Sequence, residues 1–209
     1  MPAIDDVQFD TNGWEPRAEP AENRCAWTNG TGDILSVRFK PGAPTMPSLF
    51  RFQALREHHA RRLAASGGTI LSLDLLQVKG LSISKLVVKT WQPAGGWGYL
   101  GILSLPYRDF SFSIRMQTLE RSGDEAREHH AWNWLHDSQP AETDCLPLWF
   151  GREEAPHDIH AALPNLADNE RWDADFPEHP LSRLRVEFSR LIPTLSISRD
   201  VKNSAPHRG

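Results

Sequence analysis

Between Thr69 and Leu119 the chain holds four extended runs, Thr69–Val78, Ser82–Trp91, Gly98–Leu105 and Asp109–Leu119. The links between them are hairpin-length, such as Pro106-Tyr107-Arg108-Asp109. A parallel pair needs a crossover of about a dozen residues or more, so consecutive runs joined this closely pair antiparallel. In the last run Phe110, Phe112, Ile114 and Met116 alternate with Ser111, Ser113, Arg115 and Gln117. A period of two puts every apolar residue on one face, which has to be covered. A meander with one apolar side therefore demands helices to roof it, and this requirement limits the fold to the α+β class. Leu146–Phe150 reads as a fifth, short extended run.

The flanking segments supply those helices. Cys25–Thr28, the turn Asn29-Gly30-Thr31-Gly32-Asp33 and Ile34–Phe39 read as a hairpin, closed by Pro41-Gly42. A helix is predicted over about 48–65, because Leu49, Phe52, Leu55, Arg56, His59 and Leu63 recur at helical spacing and Gly67-Gly68 provides the stop. A second is predicted over about 124–136, with Asp124, Glu125 and Glu128 in the first turn, where the helix dipole favours anions. A third opens at His179-Pro180, carries Leu181, Leu184, Phe188 and Leu191 on one stripe, and stops at Pro193. Residues 138–179 are proline-bearing and aperiodic, as in a segment that wraps over other elements. The expected organisation is an irregular arm over 1–24, one α+β domain over 25–199 ending in the helix 180–192, and a frayed tail over 200–209.

Composition narrows the function classes. The chain has 209 residues and a net charge of −4, so binding nucleic acid through bulk positive charge is not expected. No apolar run approaches the ~20 residues that span a bilayer. The start is acidic and lacks the pattern of a secretory signal, and two cysteines suit reduced thiols, so a cytoplasmic location is expected. The negative charge is concentrated in residues 121–209, where a solvated acidic surface is the ordinary reading.

Nine histidines raise the question of metal chemistry. His129 and His136 lie two turns apart on the second helix, and His157 and His160 stand three apart. Neither spacing is an H-E-x-x-H or C-x-x-C pattern, so these four residues define a weak alternative, a metal-assisted hydrolase. There is no G-x-S-x-G elbow, no phosphate-cradling glycine motif and no calcium loop. The acidic stretch Asp168–Asp175 reads as a solvated turn. No catalytic residue and no cofactor is expected.

Eight tryptophans are the heavier signal. Trp132 and Trp134 are two apart and cannot share a helix face, so at least one should be exposed or covered by 138–179. Exposed aromatic residues anchor protein interfaces, and Arg108 can grip a carboxylate in a bidentate pair. Tyr107, Arg108, Asp109, Trp132 and Trp134 are accordingly the candidate partner contacts. A further alternative is a small-ligand pocket lined by Trp91, Trp97 and Tyr107.

Three stretches also carry a resemblance: Trp27-Thr-Asn-Gly-Thr-Gly-Asp33, Leu105-Pro-Tyr-Arg-Asp-Phe-Ser111 and Phe176-Pro-Glu-His-Pro-Leu-Ser-Arg183. With them, about residues 25–192 resemble an uncharacterised family of bacterial soluble proteins. The order hairpin, helix, meander, helix is similar to the PsbP-like α/β/α sandwich, the fold of the photosystem II extrinsic subunit and of Eag-type chaperones of type VI secretion. That resemblance implies protein binding, as in an immunity protein, secretion adaptor or chaperone.

Overall fold

In the computed structural model of the chain, the described residues are 2–18, 22–93, 95–121, 125–152 and 163–208. The meander forms as the links require: β5 (Gly68–Val78), β6 (Leu81–Trp91), β7 (Trp97–Pro106) and β8 (Phe110–Leu119) pair antiparallel in chain order. The hairpin β3 (Arg24–Thr28) and β4 (Ile34–Pro41) joins its far edge through β4 and β8. The result is one antiparallel seven-stranded sheet, in the order β2-β3-β4-β8-β7-β6-β5.

Its outermost strand, β2 (Glu15–Arg17), comes from the arm expected to be irregular. The same arm gives β1 (Val7–Gln8), paired with β9 (Ser196–Ile197), and buries Val7 and Trp14. The chain's other end is also docked, where fraying was expected. A short helix, Arg199–Lys202, buries Val201, and Pro206 bridges to Tyr107.

Both faces of the sheet bury apolar side chains, where one was expected. Leu86, Val87 and Val88 are consecutive and all buried, the signature of a strand covered on two sides. On one side α1 (Phe52–Ala64) seats Leu55 against Leu73, Leu86 and Val88. The helix begins after the predicted start at 48, with Leu49 buried ahead of it.

On the other side α4 (Pro180–Leu191) lays Leu181, Leu184, Phe188 and Leu191 over Val37, Leu103, Phe112 and Ile114. The approach is close at Gly101, where a Cβ would stand 2.4 Å from Phe188 Cε2 and 3.0 Å from Leu184 Cδ2. Only a glycine lets helix and strand meet at this distance.

α2 (Ala126–Asp137) lies C-terminal to the meander, near its predicted place. The predicted extended run at Leu146–Phe150 is instead a short helix, α3 (Cys145–Trp149). Asp144 caps it by accepting from the Leu146 amide, and Pro147 sits in the first turn, where its missing N–H costs nothing. Cys25 and Cys145 are free thiols.

Candidate functional site

Strand alternation places Lys85, Val87, Lys89 and Trp91 on the α4 side of β6, opposite Leu103, Gly101, Tyr99 and Trp97 of β7. Lys89 thereby falls on a buried face, with no solvent exposure at all. A bare ammonium there would be prohibitive. Asp168 answers it from a 3-10 turn of the wrapping segment, with its oxygens 3.0 and 3.3 Å from Lys89 Nζ. The Trp97 ring centroid lies 4.7 Å from the same ammonium.

Arg127 of α2 is equally buried and ties the segment down. It donates to the Ala167 carbonyl at 2.6 Å, to Ser182 Oγ at 2.5 Å and to the Asn169 carbonyl at 2.9 Å, and pairs with Asp173 at 2.9 Å. Arg185 of α4 completes the lattice through Asp173 and the Asp168 carbonyl. The stretch read as a solvated acidic turn is thus partly buried: Asp168 and Asp173 are the counter-charges of Lys89, Arg127 and Arg185.

Beside this lattice lies a second cluster. Glu120 closes β8, accepting from the Trp97 amide at 2.7 Å and the Tyr99 hydroxyl at 3.1 Å. His179 is the N-cap of α4, and its Nδ1 accepts from the Leu181 amide at 3.2 Å. Its Nε2 faces Glu120 and Glu128, each 3.7 Å away. Both Glu128 oxygens and His179 Nε2 are buried without a hydrogen-bond partner among the described residues. Burial pushes His179 toward the neutral form, but the two carboxylates prevail and hold its pKa above the ordinary 6.5. For Glu128, burial is likewise outweighed by His179 and Lys89, and its pKa lies below 4.5. Burial and the surrounding carboxylates drive the Tyr99 phenol well above 10.

Among the described residues, Glu120, Glu128 and His179 are the trio whose ligand atoms come within 4.8 Å of one another. They could hold a metal ion by number and reach, but the proton inventory fits poorly. Nδ1 is an acceptor from a backbone N–H, so in the neutral ring Nε2 carries the proton and presents it to the carboxylates. A metal on Nε2 would require that proton to move to Nδ1, breaking the cap. The trio instead suits holding a proton between an imidazole and two carboxylates.

The signs give a pH prediction. A raised imidazole pKa stabilises fully below 6.5 and is lost as pH climbs through the raised value; a lowered Glu128 pKa stabilises above 4.5 and is lost as pH falls through it. The ion pair therefore contributes most between 4.5 and 6.5, partly offset by the cap, since the Nδ1 of an imidazolium carries a proton and cannot accept from the Leu181 amide. In His179→Asn, which keeps a side-chain cap acceptor, urea melts lose the alkaline decline. An unchanged alkaline limb would show that this ring does not carry it.

The residues singled out by sequence are dispersed. Tyr107 is buried and stacked on Phe110, while Arg108 and Asp109 are exposed and pair with each other at 3.0 Å. Trp91 and Trp97 are cross-strand neighbours at one end of β7, and Tyr107 lies past the other end, roughly 30 Å away at ~3.3 Å per residue. They do not line one pocket. A hollow of about 230 Å³ next to Tyr107 is formed with Leu49, Phe50 and His207, and one of about 320 Å³ with Lys85, Asp173 and Arg185. Trp132 packs edge-on against Trp149, and Trp134 is 43% exposed beside Trp172, so the wrapping segment covers both in part.

His129 and His136 are exposed and join no ligating trio among the described residues. His157 and His160 lie outside the described residues. Two of the resembling stretches do meet: Arg183 grips the buried Asp33 carboxylate with a bidentate pair at 2.9 and 3.0 Å. Sequence reasoning missed Lys89, Asp168, Arg127, Glu120, Glu128 and His179. The available signal was a lysine inside the apolar run Leu86–Trp91, in phase with Val87.

No protein-family model matches the sequence, and no curated protein is significantly similar to it. Among solved structures, the chain is similar to the Ran-binding protein Mog1p of Saccharomyces cerevisiae, at TM-score 0.44 and 12% identity over 60% of this chain and 78% of that one. It is similar to CyanoP, the cyanobacterial PsbP of Synechocystis, at TM-score 0.37 and 11% identity over 64% and 85%. A protein of unknown function from Pseudomonas aeruginosa matches at TM-score 0.35 and 11% identity over 64% and 81%. Similarities this loose assign no function.

Proposed function

We propose that the chain is a cytoplasmic protein-binding domain of the immunity-protein, secretion-adaptor or chaperone kind, and that its buried charges hold its shape. The observation that carries this reading is an exposed aromatic and cationic surface over α2. Trp134 stands partly in solvent, and the Arg171 guanidinium lies 4.0 Å from its ring and 4.3 Å from that of Trp172. Tryptophan and arginine are the residue types that dominate binding hot spots. The exposed Arg108–Asp109 pair, set on the buried Tyr107, is the second candidate contact.

The buried charges Lys89, Asp168, Arg127 and Asp173 support the same reading, because they are paired with one another. These four join β6, α2 and the wrapping segment, while His179 caps α4 through Nδ1 and turns Nε2 toward Glu120 and Glu128. Among the described residues no helix is long and apolar enough to cross a membrane.

The test is co-purification of the full chain with the protein encoded beside it, followed by a binding isotherm. Trp134→Ala is expected to weaken that complex by about tenfold or more, as hot-spot truncation does. A wild-type chain that stays monomeric and captures nothing under native conditions would contradict the proposal.

A further inference from the structure

α1 packs against β5 at one edge of the sheet. The far half of that same face, on β2, β3, β4 and β8, presents polar side chains. Strand register fixes which residues share it. Arg17, Ala26, Ser36 and Arg115 stand in one cross-strand row; Arg24, Arg38 and Ser113 form the next; Lys40 lies beside Ser111 in a third. Arg17, Arg24, Arg38, Lys40 and Arg115 are all exposed, while Ala26 and Ser36 beneath them are buried. Glu15 is the one carboxylate in the adjoining row, at the outer strand.

This is an expensive way to build a surface. Arg24 is directly opposite Arg38, and like charges in cross-strand pairs destabilise a sheet. Partial burial, together with the charges of Arg38, Arg24 and Arg62, holds Arg115 below the usual arginine value. Among the described residues no carboxylate pairs with Arg38 or Arg115.

We infer that this face of β2, β3, β4 and β8 docks an acidic segment of the partner protein, with Arg17, Arg38, Lys40 and Arg115 meeting its carboxylates. The inference rests on the protein-binding reading and adds a surface and a partner chemistry to it. Guanidinium forks match carboxylates in bidentate pairs, and Arg38 and Arg115 are diagonal neighbours on β4 and β8, a spacing of about 7–8 Å. A polynucleotide fits less well. Its binding faces interleave cations with aromatic rings that stack bases, whereas Trp27 and Phe39 point through the sheet to the opposite side. The net negative charge also opposes a long polyanion, while a short acidic segment senses only charges within about 10 Å.

The probe is a fluorescein-labelled glutamate-rich peptide, read by anisotropy at low salt against the full chain. Wild type is expected to bind it, and R38Q/R115Q to bind about tenfold more weakly through loss of charge-assisted contacts. K79Q/R199Q removes the same charge elsewhere and is expected to bind like wild type. Thermal melts of R38Q/R115Q should match or exceed wild type, since a repulsion has been removed. Failure of wild type to bind the peptide, equal binding by R38Q/R115Q, or tighter binding of a single-stranded oligonucleotide at this face would each overturn the inference. If R38Q/R115Q still forms the complex that Trp134→Ala weakens, the face is wrong and the protein-binding reading stands. A chain with no partner would overturn the protein-binding reading and this inference with it, even if its peptide binding needs Arg38 and Arg115.

Discussion

Asp168→Ala is expected to destabilise the protein by about 3–5 kcal/mol, because it strands a buried cation. Lys89 Nζ then has no hydrogen-bonded carboxylate, and the Trp97 and Tyr99 rings at 4.7 and 5.8 Å and the more distant Glu128 replace only part of the lost attraction. The Asn165 amide also loses the acceptor it meets at 2.9 Å. For a chain of this length the melting temperature falls by roughly ten degrees or more. Lys89→Met should cost less, since Asp168 keeps that amide bond and sits nearer the surface. The double replacement K89M/D168L should cost least, as apolar residues of similar volume commonly substitute for a buried pair without loss. The order in denaturant midpoints is the discriminating result; Asp168→Ala melting with wild type would show that the pair carries no strain when broken.

Gly101→Val is the second large effect. The Cβ alone would enter the Phe188 ring, at 2.4 Å from Cε2 and 2.6 Å from Cζ, where carbon atoms need about 3.5–4.0 Å. Phe188 and Leu184 are the buried centre of the α4 stripe, so the ring cannot swing into solvent and the helix has to lift. Valine's better strand propensity returns at most about 1 kcal/mol. Overpacking costs about 1–3 kcal/mol and more where backbone must move, so a net loss near the top of that range is expected in urea melts. A cycle with Phe188→Ala tests the cause: if the clash is with this ring, the two changes are strongly non-additive, and additive losses would place the damage elsewhere.

The fold was legible wherever a spacing rule applied within one segment. The hairpin turn at Asn29, the strand alternation of Phe110–Met116 and the Leu181–Leu191 stripe each determine their element locally. The charged centre was not, because its partners are far apart in sequence: Lys89 and Asp168 are 79 residues apart. An aspartate in an acidic, aperiodic stretch looks solvated until a lysine on a buried strand face is known to need it. Leu146–Phe150 misled for a related reason, since five apolar-rich residues fit a strand or a helical turn equally, and the Asp144 cap decided it. The basic face was equally hidden. Arg17, Arg24, Arg38 and Arg115 are scattered along the chain, and it takes the pairings of β2 with β3, β3 with β4 and β4 with β8 to assemble them.

The claim that the inner acids and bases serve the architecture can be read at one atom pair. Long-range proton–nitrogen NMR of His179, above its titration, reports which ring nitrogen is protonated. The account predicts a proton on Nε2 directed at Glu120 and Glu128, with Nδ1 bare and capping α4, unaltered by added zinc. A proton on Nδ1 with Nε2 open, or a zinc-shifted Nε2 resonance, would contradict it and make the cluster a metal-binding centre.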